Sequence, residues 1–124
     1  MSRPRLLVVD DHAMLRAALV DLLDQAGFEV VGEAADGADA VALAKQLAPD
    51  VVLMDLRMPV MDGLEAARAL RDRVPALPVI ILSAYEDPAL KSEAAAANAY
   101  AYLVKGCSGG LVLDTIEQAF QATR

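Results

Sequence analysis

Residues 51–59, Val51-Val52-Leu53-Met54-Asp55-Leu56-Arg57-Met58-Pro59, set a strand-forming apolar run against a lone aspartate, with a proline close behind. A carboxylate beside a hydrophobic strand is costly unless something pairs with it or uses it. The surrounding sequence offers candidates for both. Four further apolar, β-branched segments have the same look: 5–9 (RLLVV), 28–34 (FEVVGEA), 78–82 (PVIIL) and 101–104 (AYLV), with 50–54 as the third in chain order.

Between these segments the apolar period changes from two to three and four. Leu15, Leu19, Leu22, Leu23 and Ala26 predict one face of a helix closed by Gly27. Residues 38–47 align Val41, Ala44 and Leu47, and the stretch after Gly63 aligns Leu64, Ala67, Arg71 and Val74, the weakest stripe. A fourth helix starts with Asp87 as N-cap and Pro88 in its first turn. The last, 109–122, aligns Val112, Ile116, Ala119 and Phe120. Strand and helix alternate five times with short connections, which predicts an α/β domain: a doubly wound parallel sheet with helices on both faces. The nearly all-apolar segments 5–9, 50–54 and 78–82 read as central strands, and 28–34, with Glu29 and Glu33, as an edge.

The residues that follow each strand share a chemistry. They are Asp10 and Asp11 after the first, Asp55 after the third, Ser83 after the fourth and Lys105 after the fifth. In an open α/β sheet, sites form outside the carboxyl ends of the strands, so all five should meet in one shallow cleft. Three carboxylates that close repel one another unless a cation joins them. Hard oxygen ligands in a partly open site favour Mg²⁺, an ion that keeps waters and shares phosphate oxygens. Asp55 could then act as a nucleophile towards phosphorus. Lys105 suits a mobile point charge on a phosphate oxygen, and Ser83 can donate to the same group.

Composition narrows the classes. The 124 residues fit one domain, 1–124, and 56% hydrophobic residues suffice for a core. The net charge of −7 argues against direct nucleic-acid binding by this segment, since such surfaces are basic. No apolar run approaches a membrane span, and the opening MSRPRLLVVDDH does not read as a signal peptide. The single cysteine, Cys107, excludes an internal disulfide and suits a reducing, cytoplasmic setting.

The motifs LLVVDDH, DVVLMDLRMPVMDGLEA, PVIILSA and AYLVKG, in this order, resemble the receiver domains of bacterial two-component response regulators. The DDH opening and the lysine without a following proline resemble the branch with LuxR-type helix-turn-helix output domains. The resemblance implies a flavodoxin-like (βα)5 fold with strand order 2-1-3-4-5. It implies phosphoryl transfer from a sensor histidine kinase to Asp55, with Asp11, Asp55 and the backbone carbonyl of Arg57 on Mg²⁺ and Asp10 acting through water. Ser83 and Tyr102 would be the switch pair, reshaping the surface of helix four, strand five and helix five, and a homodimer could form on phosphorylation. Pro59 and Gly63 match the family's turn. Asn98 and Ala101 stand where glycine is common, Tyr100 adds an aromatic near the switch surface, and Gly106 replaces a frequent proline.

Each residue alone has a plainer reading. Asp10 and Asp11 could cap the first helix, Asp55 could be a turn residue, and Ser83, Lys105 and the tyrosines could be ordinary strand-end or surface residues. His12, Cys107 and the methionines receive no role. A haloacid-dehalogenase-type phosphatase also uses Asp, Ser/Thr, Lys and Mg²⁺, but it needs a second aspartate at position 57, where Arg57 stands. A phosphorylation-independent interaction module need not retain the full acidic set. The expected context is the receiver portion of a longer transcriptional regulator, with a free-standing receiver as the alternative.

Overall fold

The computed structural model describes residues 3–123. Of the expected 1–124 domain, Met1, Ser2 and Arg124 lie outside the described residues. The chain alternates as expected: β1 (Arg5–Val9), α1 (Ala13–Gln25), β2 (Glu29–Ala34), α2 (Gly37–Leu47), β3 (Val51–Asp55), α3 (Gly63–Arg73), β4 (Val79–Ser83), α4 (Pro88–Ala96), β5 (Ala101–Val104) and α5 (Gly109–Ala122). All pairings are parallel and the order is β2-β1-β3-β4-β5. The parallel sheet with helices on both faces is the one the alternation predicts, and the strand order is that of the flavodoxin-like (βα)5 fold implied by the resemblance.

Alternating side chains of the sheet feed two separate cores. Val52, Met54, Leu7, Val9 and Ile81 meet α2, α3 and α4, while Val51, Leu53, Leu6, Val8 and Ile80 meet α1 and α5. The three inner strands are buried on both faces apart from half-buried Arg5, which explains their continuous apolar runs. The edge strands β2 and β5 are only partly buried.

Three expectations change in detail. Asp55 and Ser83 are the last residues of their strands rather than the first beyond them. The ladder runs on at these points, with the Leu56 amide donating to the Leu82 carbonyl and the Lys105 amide to that of Ser83. Helix α1 buries only Leu23; Leu15 is exposed, Leu19 and Leu22 are half-buried, and Ala26 is an exposed C-cap. In α3 the buried face is Leu64, Ala66, Ala67 and Leu70. Arg71 instead points outward, its guanidinium donating to the Ala96 carbonyl at the end of α4, where a cation suits the helix dipole.

The helix starts follow ordinary capping chemistry. Asp36, Asp62, Asp87 and Ser108 each accept a first-turn amide. Helix α1 differs: His12 is the N-cap, its Nδ1 accepting from the Leu15 amide, so neither Asp10 nor Asp11 caps it. The carboxylates of both aspartates stay at the sheet rim, where Asp10 Oδ1 accepts from the His12 amide. Asn98 takes the left-handed turn after α4 with φ 66°.

Candidate functional site

The carboxyl ends of β1, β3, β4 and β5 form one rim because all strands run the same way. On it, Val9 pairs with Met54, Asp55 with Leu82, and Ser83 with Val104, so the residues at and just past these positions are neighbours. Asp10, Asp11 and Asp55 each bring a carboxylate oxygen within 4.8 Å of the others. Asp10 and Asp55 are buried and Asp11 is exposed, so the cluster opens to solvent on one side.

Lys105 reaches the cluster from β5, two strands away from β3. Its Nζ lies 3.0 Å from Asp55 Oδ1 and 3.2 Å from Asp10 Oδ2. Burial pushes the Asp55 carboxyl up; Lys105, by hydrogen bond and charge, pulls it down; Asp10 pushes it up again, and the net shift is upward. For Lys105, burial works to lower the ammonium, but the hydrogen bond and charge of Asp55, with help from Asp10, hold it above its usual value. The lysine is therefore a fixed positive charge between two carboxylates.

Local bonds fix the frame. Asp10 Oδ1 accepts from the His12 amide at 2.8 Å, and the Asp10 carbonyl accepts from Arg16 Nη1, whose Nε pairs with Glu33 at 3.1 Å. Asp55 is backed by Gly63, where an added Cβ would lie 2.2 Å from the Asp55 carbonyl oxygen. The Gly63 amide donates to the Leu56 carbonyl, closing the loop that carries Arg57, Pro59 and Val60.

The arrangement suits a divalent cation: an all-oxygen donor set, open on one side, whose three negative charges are only partly offset by Lys105. Of the residues expected at the site, Asp10, Asp11, Asp55 and Lys105 converge. Ser83 lies on the adjoining strand, fully buried, with Oγ accepting from the Tyr85 amide at 3.1 Å. Tyr102 does not reach the carboxylates; it is half-buried and its hydroxyl donates to the Tyr85 carbonyl at 2.5 Å. The Arg57 side chain lies over the Tyr85 ring, 5.7 Å from its centre. Tyr85 thus joins Ser83, Tyr102 and Arg57, and residue-level reading missed it because two of its three links use backbone atoms that every residue type has.

An apolar groove lined by Leu15, Leu19, Leu22, Leu82, Cys107 and Val112 runs between α1 and α5 and ends at Asp10 and Lys105. Among the described residues no helix is long and apolar enough to cross a membrane.

Residues 6–117 match the family model described as response regulator receiver domain. The chain is 40% identical over 120 residues to the transcriptional regulatory protein PdtaR of Mycobacterium tuberculosis, covering 97% of this chain and 58% of that protein. It thus spans little more than half of that relative's length. The fold is similar to a two-component response regulator of the LuxR family from Aurantimonas sp. SI85-9A1, with TM-score 0.93, 32% identity, and coverage of 99% of this chain and 89% of the other. It is also similar to a chain of the CheX-CheY-BeF3-Mg+2 complex from Borrelia burgdorferi, with TM-score 0.89, 28% identity, and coverage of 94% and 88%. With the motifs, the topology and the acidic rim in agreement, the chain belongs to the response regulator receiver domain family.

Proposed function

We propose that this domain is a phosphorylation-dependent signalling receiver that takes a phosphoryl group from a sensor histidine kinase onto Asp55. The observation that carries this reading is the meeting of three carboxylates from β1 and β3 with the Lys105 ammonium on two of them. An Asp55 oxygen bonds to phosphorus as the bond from phosphorus to the donor's imidazole nitrogen breaks; the imidazole leaves with the electron pair and gains a proton. Lys105 offsets charge on the phosphoryl oxygens, and Ser83 donates a hydrogen bond to one of them. A Mg²⁺ ion held by Asp11, Asp55 and the Arg57 carbonyl, and by Asp10 through water, would supply the remaining charge neutralisation. The protein supports only its own phosphorylation and dephosphorylation.

Ser83 and Tyr102 then report the state of Asp55 to the surface of α4, β5 and α5, where a partner or a second copy of the domain reads it. The kinase docks beside the acidic rim, where Met14, 79% exposed, and Leu15 present apolar surface at the start of α1. The setting is the cytoplasm, and control of transcription runs through an output domain outside this sequence, which makes any contact with DNA. The 38% identity to the chemotaxis protein CheY of Thermotoga maritima, over 95% of that protein's length, favours, as the second reading, a free-standing receiver acting by protein contact or phosphorelay.

Incubation with acetyl phosphate and Mg²⁺, followed by intact-mass measurement, tests the proposal. A single phosphoryl adduct is expected in the parent protein and none in Asp55→Asn. Turnover of assorted phosphomonoesters would point to a phosphatase instead.

A further inference from the structure

Tyr85 lies in the segment between β4 and α4 and has partners on β4, on β5 and in the segment after β3. Its amide donates to Ser83 Oγ, its carbonyl accepts from the Tyr102 hydroxyl, and its ring faces the Arg57 guanidinium. Core packing does not place the ring, since Tyr85 is 55% exposed. Among the described residues Arg57 forms no ion pair with a carboxylate, despite standing two residues from Asp55. Its charge rests on the ring instead, linking the segment after β3 to the segment after β4.

The consequence falls on Ser83. A hydroxyl has one hydrogen to donate and lone pairs to accept. With the Tyr85 amide occupying the Ser83 oxygen, the hydroxyl hydrogen is the part left to offer. We propose that Tyr85 is a positioning residue: the Arg57–Tyr85–Tyr102 clamp holds the segment after β4 so that Ser83 stands ready as a donor to a phosphoryl group on Asp55. This inference rests on reading Asp55 as the phosphoryl acceptor, and it assigns the Arg57 side chain a task separate from its carbonyl.

The clamp can be opened without touching the backbone bonds. Arg57→Ala keeps the carbonyl of residue 57, and Tyr85→Ala keeps the amide and carbonyl of residue 85; both side chains are exposed, so the fold survives. NMR titration with beryllofluoride and Mg²⁺ measures how well each form takes a phosphoryl mimic. Each single variant weakens binding about two- to five-fold, the effect of an exposed cation–π contact. The double variant is no weaker than the weaker single one, and Arg57→Lys recovers part of the loss. Affinity unchanged in Arg57→Ala, or single losses that multiply in the double variant, would overturn the clamp. If the parent protein itself ignores beryllofluoride, the receiver reading falls, and the clamp is judged on the unliganded protein: Arg57→Ala must then shift the Tyr102 ring and Ser83 amide resonances, and a change confined to residues 57 and 85 refutes it.

Discussion

At Asp55, burial and pairing pull in opposite directions. The side chain is only 9% exposed, yet the Lys105 ammonium stands 3.0 Å away. The net upward shift of its proton affinity means that the folded protein holds the Asp55 proton more tightly than the unfolded chain does. The contribution is therefore fully stabilising below the ordinary carboxylate range, about 4, and is lost as pH rises through the higher folded value. Asp55→Asn removes the charge and keeps the shape. In chelator at neutral pH it is expected to melt above the parent, with the gap closing as pH falls towards 4. Thermal unfolding across that range checks it; a lower melting point for Asp55→Asn at neutral pH would mean that the Lys105 pair outweighs burial. Val60 offers a second test. It sits at φ 68°, 84% exposed, in a γ-turn closed by the Met61 amide on the Pro59 carbonyl at 2.7 Å. A β-branched residue is strained at this positive φ, whereas glycine adopts it freely. Val60→Gly should stabilise by about 1 kcal/mol, read as a higher urea midpoint at unchanged m-value.

Among the elements, the strands were legible and the helix faces less so. Continuous apolar runs of strand length, rich in β-branched residues, identify β1, β3 and β4 as strands covered on both faces, and the polar residues at their ends, acidic after β1 and in β3 and a serine in β4, follow directly. Helix α1 misled because its leucine period is only partly used for burial: Leu23 is in the core and Leu19 packs against it, while Leu15, Leu19 and Leu22 line an open groove. Helix α3 was half legible: the expected Leu64 and Ala67 are buried, but Ala66 and Leu70 join them in place of Arg71, and burial of a residue as small as Ala66 is decided by how closely the helix approaches the sheet, which no local pattern encodes. That approach is tightest at Gly63, the first residue of α3, where any Cβ would collide with the Asp55 carbonyl. Gly63→Ala is expected to cost about 1–3 kcal/mol, because backbone must move to accommodate it. The displacement falls on Asp55, so the variant should also lose affinity for beryllofluoride. Chemical denaturation and the same NMR titration give both numbers; an unperturbed site in a destabilised protein would show that α3 shifts without carrying β3 with it.

For the molecule as a whole, strand order decides where charge accumulates. Placing β1 beside β3 at the centre of the sheet sets Asp10 and Asp11 against Asp55 although over forty residues separate them. Placing β5 two strands from β3 leaves Lys105 about 10 Å of sheet to cross, which a long flexible side chain can do. The lysine touches only Asp10 and Asp55 among the three carboxylates, so the net charge of −7 includes a cluster that its own cation offsets incompletely. A bound divalent ion should then stabilise the fold by mass action. At ten times its dissociation constant, Mg²⁺ would add about 1.4 kcal/mol, or about 5 °C in melting temperature for a domain of this size. Asp11 makes the test specific: it is exposed, its side chain neither caps α1 nor pairs with Lys105, and Asp11→Asn should leave the melting temperature in chelator nearly unchanged. The same substitution should abolish most of the Mg²⁺-dependent rise measured by calorimetry. A rise of equal size in Asp11→Asn would place the ion elsewhere on this acidic surface rather than on the three carboxylates.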